Sequence, residues 1–372
     1  MNFSLFIRLA AIYGMLMLIS AQATFGQKIP QQGIVVVCTD AILLQKEYFS
    51  LDEATKEPHK AYNLNLQDKQ LTALPVEIGQ LTKIRVLTLW SNNLRTLPAE
   101  MSLLTDSQNI DVSSNPELDI VGATAALASL KNLRSLNLWN TNITNVPSEI
   151  ERLGSLRVLN LSSNKLTLIP PEFGNLTVLE ELYASSNRLG KLPPEIAKLS
   201  HLKTLSLWNN RLAAFPPEIG TLINFQTLDV SNNLLTRLPS EIGKLANLRT
   251  LNLTSNKLET LPQEIGNLKN LQTLYVGENK LMCLPIKIGK LIKLQTLALS
   301  SSPKLNFSKV YTLLSQLPAL ENLFFVGNQL KTLPDDTSKL TGVKVLVVNE
   351  NPLFVQESER IVKLLPHCGI KL

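Results

Sequence analysis

The sequence predicts an α/β solenoid, with one short strand per repeat on one side and a short helical or 3₁₀ turn on the other. Three observations predict it. The leading leucine of a short Leu-x-Leu segment recurs at Leu64, Leu87, Ile110, Leu136, Leu159, Leu182, Leu205, Leu228, Leu251, Leu274, Leu297, Leu323 and Leu346, with ten spacings of 23 residues and two of 26. A fixed period of this length is the mark of stacked supersecondary units sharing one core. Asparagine stands five residues after the slot at Asn92, Asn115, Asn164, Asn187, Asn210, Asn233, Asn256, Asn279, Asn328 and Asn351. Eight of the twelve intervals between slots hold a Pro-x-Glu string, in full Leu-Pro-x-Glu-Ile-Gly from Leu74, Leu238 and Leu261.

Each part of a unit has a physical reason. Around Leu274 and Val276 apolar and polar residues alternate, which reads as a strand. Pro262 can open the following turn because it lacks the donor that a turn start leaves unpaired. Glu264 falls in that first turn, where exposed amides favour a carboxylate. Gly266 is expected to end the turn. Leu268 and Leu271 then return the chain to the core. The buried Asn amide can donate to one unit's backbone and accept from the next, forming a ladder. Lys69, Thr141 and Ser302 occupy the slot in the other three units, and Thr141 and Ser302 are expected to be weaker rungs.

The two 26-residue steps follow related strings, Ser-Ser-Asn-Pro-Glu-Leu-Asp-Ile from Ser113 and Ser-Ser-Ser-Pro-Lys-Leu-Asn-Phe from Ser300. Each loses the Leu-Pro-x-Glu-Ile turn and is expected to carry a fuller helix. Stacked units leave core exposed at both ends unless capped. Residues 50–60 supply an N-terminal cap: Ser50-Leu51-Asp52-Glu53 is a capping-box pattern. Residues 61–353 form the array of about 13 units, and residues 354–372 cap its end with Ile361, Leu364 and Leu365 at helical spacing. Residues 27–49 are an edge strand or a tether.

Residues 1–26 read as an export signal. Arg8 precedes an apolar stretch from Leu9 to Ile19, too short to span a bilayer, and Ala21-Gln22-Ala23 offers a cleavage site. The expected product is secreted, periplasmic or at the cell surface, with no membrane span after cleavage. Its three cysteines, Cys38, Cys283 and Cys368, lie several ~4.8 Å strand steps apart. A disulfide needs Cα atoms within ~7 Å, so a disulfide framework is not expected.

The pattern L-x-x-L-x-L-x-x-N-x-L over roughly residues 61–353 resembles the leucine-rich repeat proteins. The Leu-Pro-x-Glu-Ile-Gly version is similar to the 23-residue class found in bacterial exported and surface proteins and in scaffolds of small GTPases. The resemblance implies a horseshoe with a parallel sheet on its concave face. It leaves the ligand to the variable positions.

Four variable positions per unit, one before and one, three and four after the strand leucine, face out of the concave sheet. Over thirteen units these make 52 positions; none is Lys or Arg, 31 are Ser, Thr or Asn, and six are acidic: Asp68, Asp111, Glu181, Asp229, Glu278 and Glu350. The formal charge of +6 therefore lies elsewhere, and a nucleic-acid groove, which needs basic residues facing its ligand, is not expected there. Trp90, Trp139 and Trp208 share one column, and Tyr183, Tyr275 and Phe324 share the adjacent one. Aromatic rings among small hydroxyls and amides have the composition of recognition surfaces. His59, His201 and His367 are scattered, no phosphate-loop, nucleophile-elbow or Cys-x-x-Cys string occurs, and the convex glutamates come one per unit. The expectation is a non-enzymatic protein without cofactor or metal that binds a protein partner on its concave face. A glycan-binding surface protein and an intracellular GTPase scaffold are the alternatives.

Overall fold

The structure, a computed structural model describing residues 46–371, is one 15-stranded parallel sheet whose strand order follows chain order. The expected export signal and Cys38 lie outside the described residues. The thirteen slots are the middle residues of three-residue strands. These include β2 (Asn63–Asn65), β3 (Val86–Thr88), β4 (Asn109–Asp111), β7 (Glu181–Tyr183), β9 (Thr227–Asp229), β11 (Thr273–Tyr275), β12 (Thr296–Ala298), β13 (Asn322–Phe324) and β14 (Val345–Val347). Their leucines pair in register, Leu228 with Leu251 and Leu251 with Leu274, so each column of the sequence is a column in space. Two strands extend the sheet beyond the array. β1 (Glu47–Tyr48) pairs with β2, and β15 (Gly369–Lys371) pairs with β14.

The core is mainly aliphatic and continuous, from Tyr48 to Leu365. In a 23-residue unit the return segment has room for a single five-residue 3₁₀ turn, such as Gln263–Asn267. Pro262 is its N-cap, Glu264 lies in its first turn, and Leu268 N–H donates to Ile265 O at 3.1 Å. Gly266 does not end this turn. It lies inside it, where a Cβ would fall 2.2 Å from the carbonyl oxygen of Lys287 in the next turn. Glycine is there to let adjacent turns approach.

Three extra residues convert that turn into a two-turn α-helix. The long steps hold α2 (Ile120–Leu127) and α3 (Phe307–Leu314). The seventh residue of each related string is the N-cap. Asp119 accepts from Val121 and Gly122 N–H at 3.1 Å, and Asn306 accepts from Lys309 N–H at 3.2 Å. The two helices fill the core differently. α2 buries Ala123 and Leu127, whereas α3 buries Phe307 and Tyr311, whose rings meet Phe325 at 5.1 and 5.5 Å.

The ends are covered. In α1 (Leu51–Ala54) the Ser50 hydroxyl accepts from Glu53 N–H at 3.1 Å, and Ala54 is buried. In α4 (Val355–Leu364) Ile361 is buried. Glu357 accepts from Leu333 N–H at 2.7 Å, and Arg360 bridges it to Asp335. No helix among the described residues is long and apolar enough to cross a membrane.

Every asparagine of the ladder points back at the unit before it. Asn256 donates to Val230 O of the preceding unit at 3.0 Å and to Leu253 O of its own at 3.0 Å, while its Oδ1 accepts from Leu235 N–H at 3.0 Å. The side chain makes no bond to the following unit; acceptor and donor both serve the preceding bend. Thr141 donates to Leu138 O at 2.8 Å and Ser302 to Ser300 O at 3.3 Å, both within their own unit, so neither carries the bond back. Lys69, in the first slot, is exposed.

Candidate functional site

The concave face is built by the strands and by the bend after them. All thirteen positions four residues after the strand leucine, from Asp68 (φ 55°) through Asn209 (φ 56°) to Glu350 (φ 60°), have left-handed backbone conformation. That region strains most side chains but is tolerated by Asn, Asp and Gly. Six serines, three asparagines and Gly327 occupy ten of the thirteen positions. At this column Asp68, Asn140, Asn209, Asn232 and Gly327 therefore answer to backbone geometry, independently of any ligand.

The position one residue after the leucine has a second local duty. Asn160 and Asn252 accept from the N–H two residues on, at 3.0 and 3.1 Å. Asp111 and Asp229 do the same: each accepts from the backbone of Ser113 or Ser231 at 2.9 Å, and from its hydroxyl at 2.5 and 2.6 Å. Burial pushes both carboxyls above the usual range, and the serine bonds only partly oppose it. These two acids are tied into their own strand ends. Glu278 is exposed and accepts from the Ser255 hydroxyl, while Glu181 accepts from the Tyr183 hydroxyl at 2.6 Å.

Trp90, Trp139 and Trp208 stand in one column, all half-buried. Ser113, between the first two, is only 2% exposed, with an indole on either side. The Trp139 Nε1 is buried and has no hydrogen-bond partner among the described residues. Tyr183 and Tyr275 are half-buried; burial holds both phenols above their usual range, Tyr275 at about 12. Phe324 is buried on this face with Ala298 and Val347, and Tyr275, Val326 and Val345 pack against them. Sheet register aligns Tyr275, Ala298, Phe324 and Val347 in adjacent strands.

The aromatic residues thus fall into two groups rather than one pocket. The tryptophans, with Asp111, Glu181 and Asp229, lie between β3 and β9, and an apolar patch lies between β11 and β14. Trp208 and Tyr275, the nearest aromatics of the two groups, stand three strand steps of ~4.8 Å apart, whereas a ligand reaching from Trp90 to Phe324 crosses ten and must be extended. The apolar patch was missed by reading aromatics alone; its signal was valine at variable slots 326, 345 and 347. Basic residues line the lip beside the sheet, two residues before the leucine. There Glu180 pairs with Arg157 and, at 2.5 Å, with Lys203, while Lys344 pairs with Glu321 at 2.6 Å. Cys283 and Cys368 are free thiols, and no group able to hold a metal occurs among the described residues.

Comparison with known proteins agrees with this architecture. The leucine-rich repeat region model matches residues 240–367, the leucine rich repeat model residues 131–189 and 200–258, and the two-copy repeat model residues 177–218. No curated protein matches the chain in sequence. Among solved structures, a leucine-rich repeat protein of Leptospira interrogans is 28% identical, with a TM-score of 0.56 over 88% of this chain and 100% of its own. The plant peptide hormone receptor RGFR1 in complex with RGF2 is 26% identical, with a TM-score of 0.61, over 82% of this chain and 54% of its own. TLR13 in complex with ssRNA13 is 27% identical, with a TM-score of 0.70, over 85% of this chain and 47% of its own. The chain spans about half the length of these last two. With repeat, parallel sheet and matches in agreement, the chain belongs to the leucine-rich repeat proteins.

Proposed function

We propose that this protein is a non-catalytic recognition module that binds a protein partner in extended form along its concave face. The observation that carries this is the face itself: an unbroken parallel sheet whose 52 outward positions include no Lys or Arg. Half-buried indoles occupy one part and an apolar patch the other. Rigid aromatic side chains give large contact area at little entropic cost. The complex of the plant receptor RGFR1 with RGF2 supports a peptide-like ligand for this scaffold. The complex of TLR13 with ssRNA13 shows that a relative of this fold binds RNA, but the absence of cations from the concave face favours protein here. The export pattern around Arg8 and Leu9 to Ile19 supports a role outside the cytoplasm, which N-terminal sequencing of the mature protein checks.

The test is affinity capture from secreted and host proteins, followed by titration of the captured partner against wild type and the Trp139→Ala/Trp208→Ala variant. Affinity should fall at least tenfold while the circular dichroism spectrum stays unchanged. Unchanged affinity in a folded variant removes the indoles from the site. Indole rings beside hydroxyls and carboxylates also suit a sugar, so binding on a glycan array with no captured protein would replace the protein partner by a glycan.

A further inference from the structure

On the side of the solenoid away from the concave face, charge is segregated in the opposite sense. Between Glu278 and Glu321 the chain has no Asp, Glu or Arg but six lysines: Lys280, Lys287, Lys290, Lys293, Lys304 and Lys309. All six are exposed. None makes an ion pair with another described residue. Lys287 and Lys290 lie in the 3₁₀ turn Ile286–Lys290 and Lys280 and Lys293 on either side of it, while Lys304 precedes α3 and Lys309 lies within it; α3 packs beside that turn.

The turn itself departs from its fellows. Every other 3₁₀ turn between β2 and β14 has a carboxylate in its first turn. Here Lys287 stands where Glu218, Glu241 and Glu264 stand in the three turns before it. Exposed amides at a turn start disfavour a cation, so local folding does not call for this lysine. Nor does folding account for the apolar residues among the lysines. Ile286 is 76% exposed, the highest value for a large apolar side chain among the described residues, and Met282 and Ile292 are also more than half exposed. In the three preceding units the slot of Ile286 holds Pro217, Ser240 and Gln263; exposed Val76 and Ile223 share the slots of Ile286 and Ile292 elsewhere, and it is the grouping of three such side chains with the lysines that sets this unit apart.

We propose that this convex band attaches the protein peripherally to an anionic lipid bilayer. Lysines around protruding isoleucine and methionine match a surface with phosphate headgroups above hydrocarbon. A soluble polyanion would satisfy the lysines but leave Ile286, Met282 and Ile292 in water. A convex surface also meets a plane without rearrangement. The concave carboxylates, on the opposite side, then face away from the lipid, leaving that surface open. Only this last consequence rests on the concave-face proposal; the attachment itself does not.

Cosedimentation with phosphatidylcholine vesicles and with mixed phosphatidylcholine–phosphatidylglycerol vesicles tests the proposal. The protein should pellet with the mixed vesicles at low salt, be released by high salt, and ignore the neutral ones. Each lysine at an anionic surface contributes about fivefold to partitioning, so Lys287→Glu/Lys290→Glu should lose at least about tenfold. Met282→Ser/Ile286→Ser should also bind more weakly. A polarity-sensitive dye on the exposed Cys283 thiol, with Cys38 and Cys368 replaced by serine, should shift to the blue on binding. Equal binding to neutral vesicles, or none to the mixed ones at low salt, overturns the proposal. So does binding to heparin or single-stranded DNA that excludes the vesicles and is indifferent to Met282→Ser/Ile286→Ser. None of these outcomes depends on whether the concave face binds a protein.

Discussion

Replacing Asn210 by alanine should cost about 2–4 kcal/mol of stability. Asn210 is buried in the middle of the array. It donates to Ala184 O at 2.9 Å and to Leu207 O at 3.0 Å, and it accepts from Leu189 N–H at 3.0 Å. Alanine removes all three bonds and leaves the Leu189 N–H unpaired where water does not reach, while Ala184 O and Leu207 O each keep one bond, from Asn187 at 3.1 Å and Asn233 at 2.9 Å. A buried unsatisfied amide costs roughly 1–3 kcal/mol, and each bond lost to a carbonyl that keeps a second donor adds up to about 1 kcal/mol. The control is Asn224→Ala. Asn224 is exposed and makes a single inter-unit bond, to Ser200 O at 2.8 Å, so its loss should cost no more than about 1 kcal/mol. Asn210→Thr should fall between the two, because Thr141 shows that a hydroxyl keeps the bond within its own unit and loses the one to the unit before. Urea denaturation followed by far-UV circular dichroism measures all three. The transition of Asn210→Ala should also broaden, since a weakened interface between two units lets the halves of a linear array unfold separately. If Asn210→Ala and Asn224→Ala lie within 1 kcal/mol of each other, the ladder is not what couples the units.

Two other substitutions separate backbone and burial effects from ligand binding. Asp229→Asn should stabilise the protein at neutral pH, because Asn252 makes the same bond in the next unit without a charge. The sign follows from the raised carboxyl: the folded state holds this proton more tightly than the unfolded chain, whose carboxyl titrates near 3.9. Stability is therefore gained on acidification and lost as pH rises from the unfolded value through the folded one, and Asp229→Asn should flatten that slope in urea titrations at several pH values. Ser91 sits at φ 57°. Ser91→Val should cost about 1–2 kcal/mol and Ser91→Gly less than about 0.5 kcal/mol, measured by thermal unfolding; equal costs would mean that the left-handed backbone does not select the residue.

Much of the fold was legible in residue order because a solenoid makes sequence columns into spatial columns. Each unit meets only its neighbours, so the 23-residue spacing of Leu251 and Leu274 is also their pairing register. The Asn slot could be located for the same reason, as could the helices in the two long steps. The candidate site was less legible. Trp90, Trp139 and Trp208 could be placed on one face by counting, but how far their rings stand clear of the sheet depends on neighbours such as Ser113, which counting does not weigh.

What residue order determined was everything that repeats: the period, the strand slots, the in-facing leucines, the face on which each variable residue lies. Local periodicity and nearest-neighbour stacking suffice for that. What only the tertiary structure decided was how each position is used. The slot of Glu278 and Ser91 is left-handed, Asp111 and Asp229 are spent on their own strand ends, and Gly266 makes room for the next turn instead of closing its own. The band from Lys280 to Lys309 is in the sequence as composition. Its exposure, and the absence of ion pairs along it, are properties of a surface and exist only once the chain is stacked.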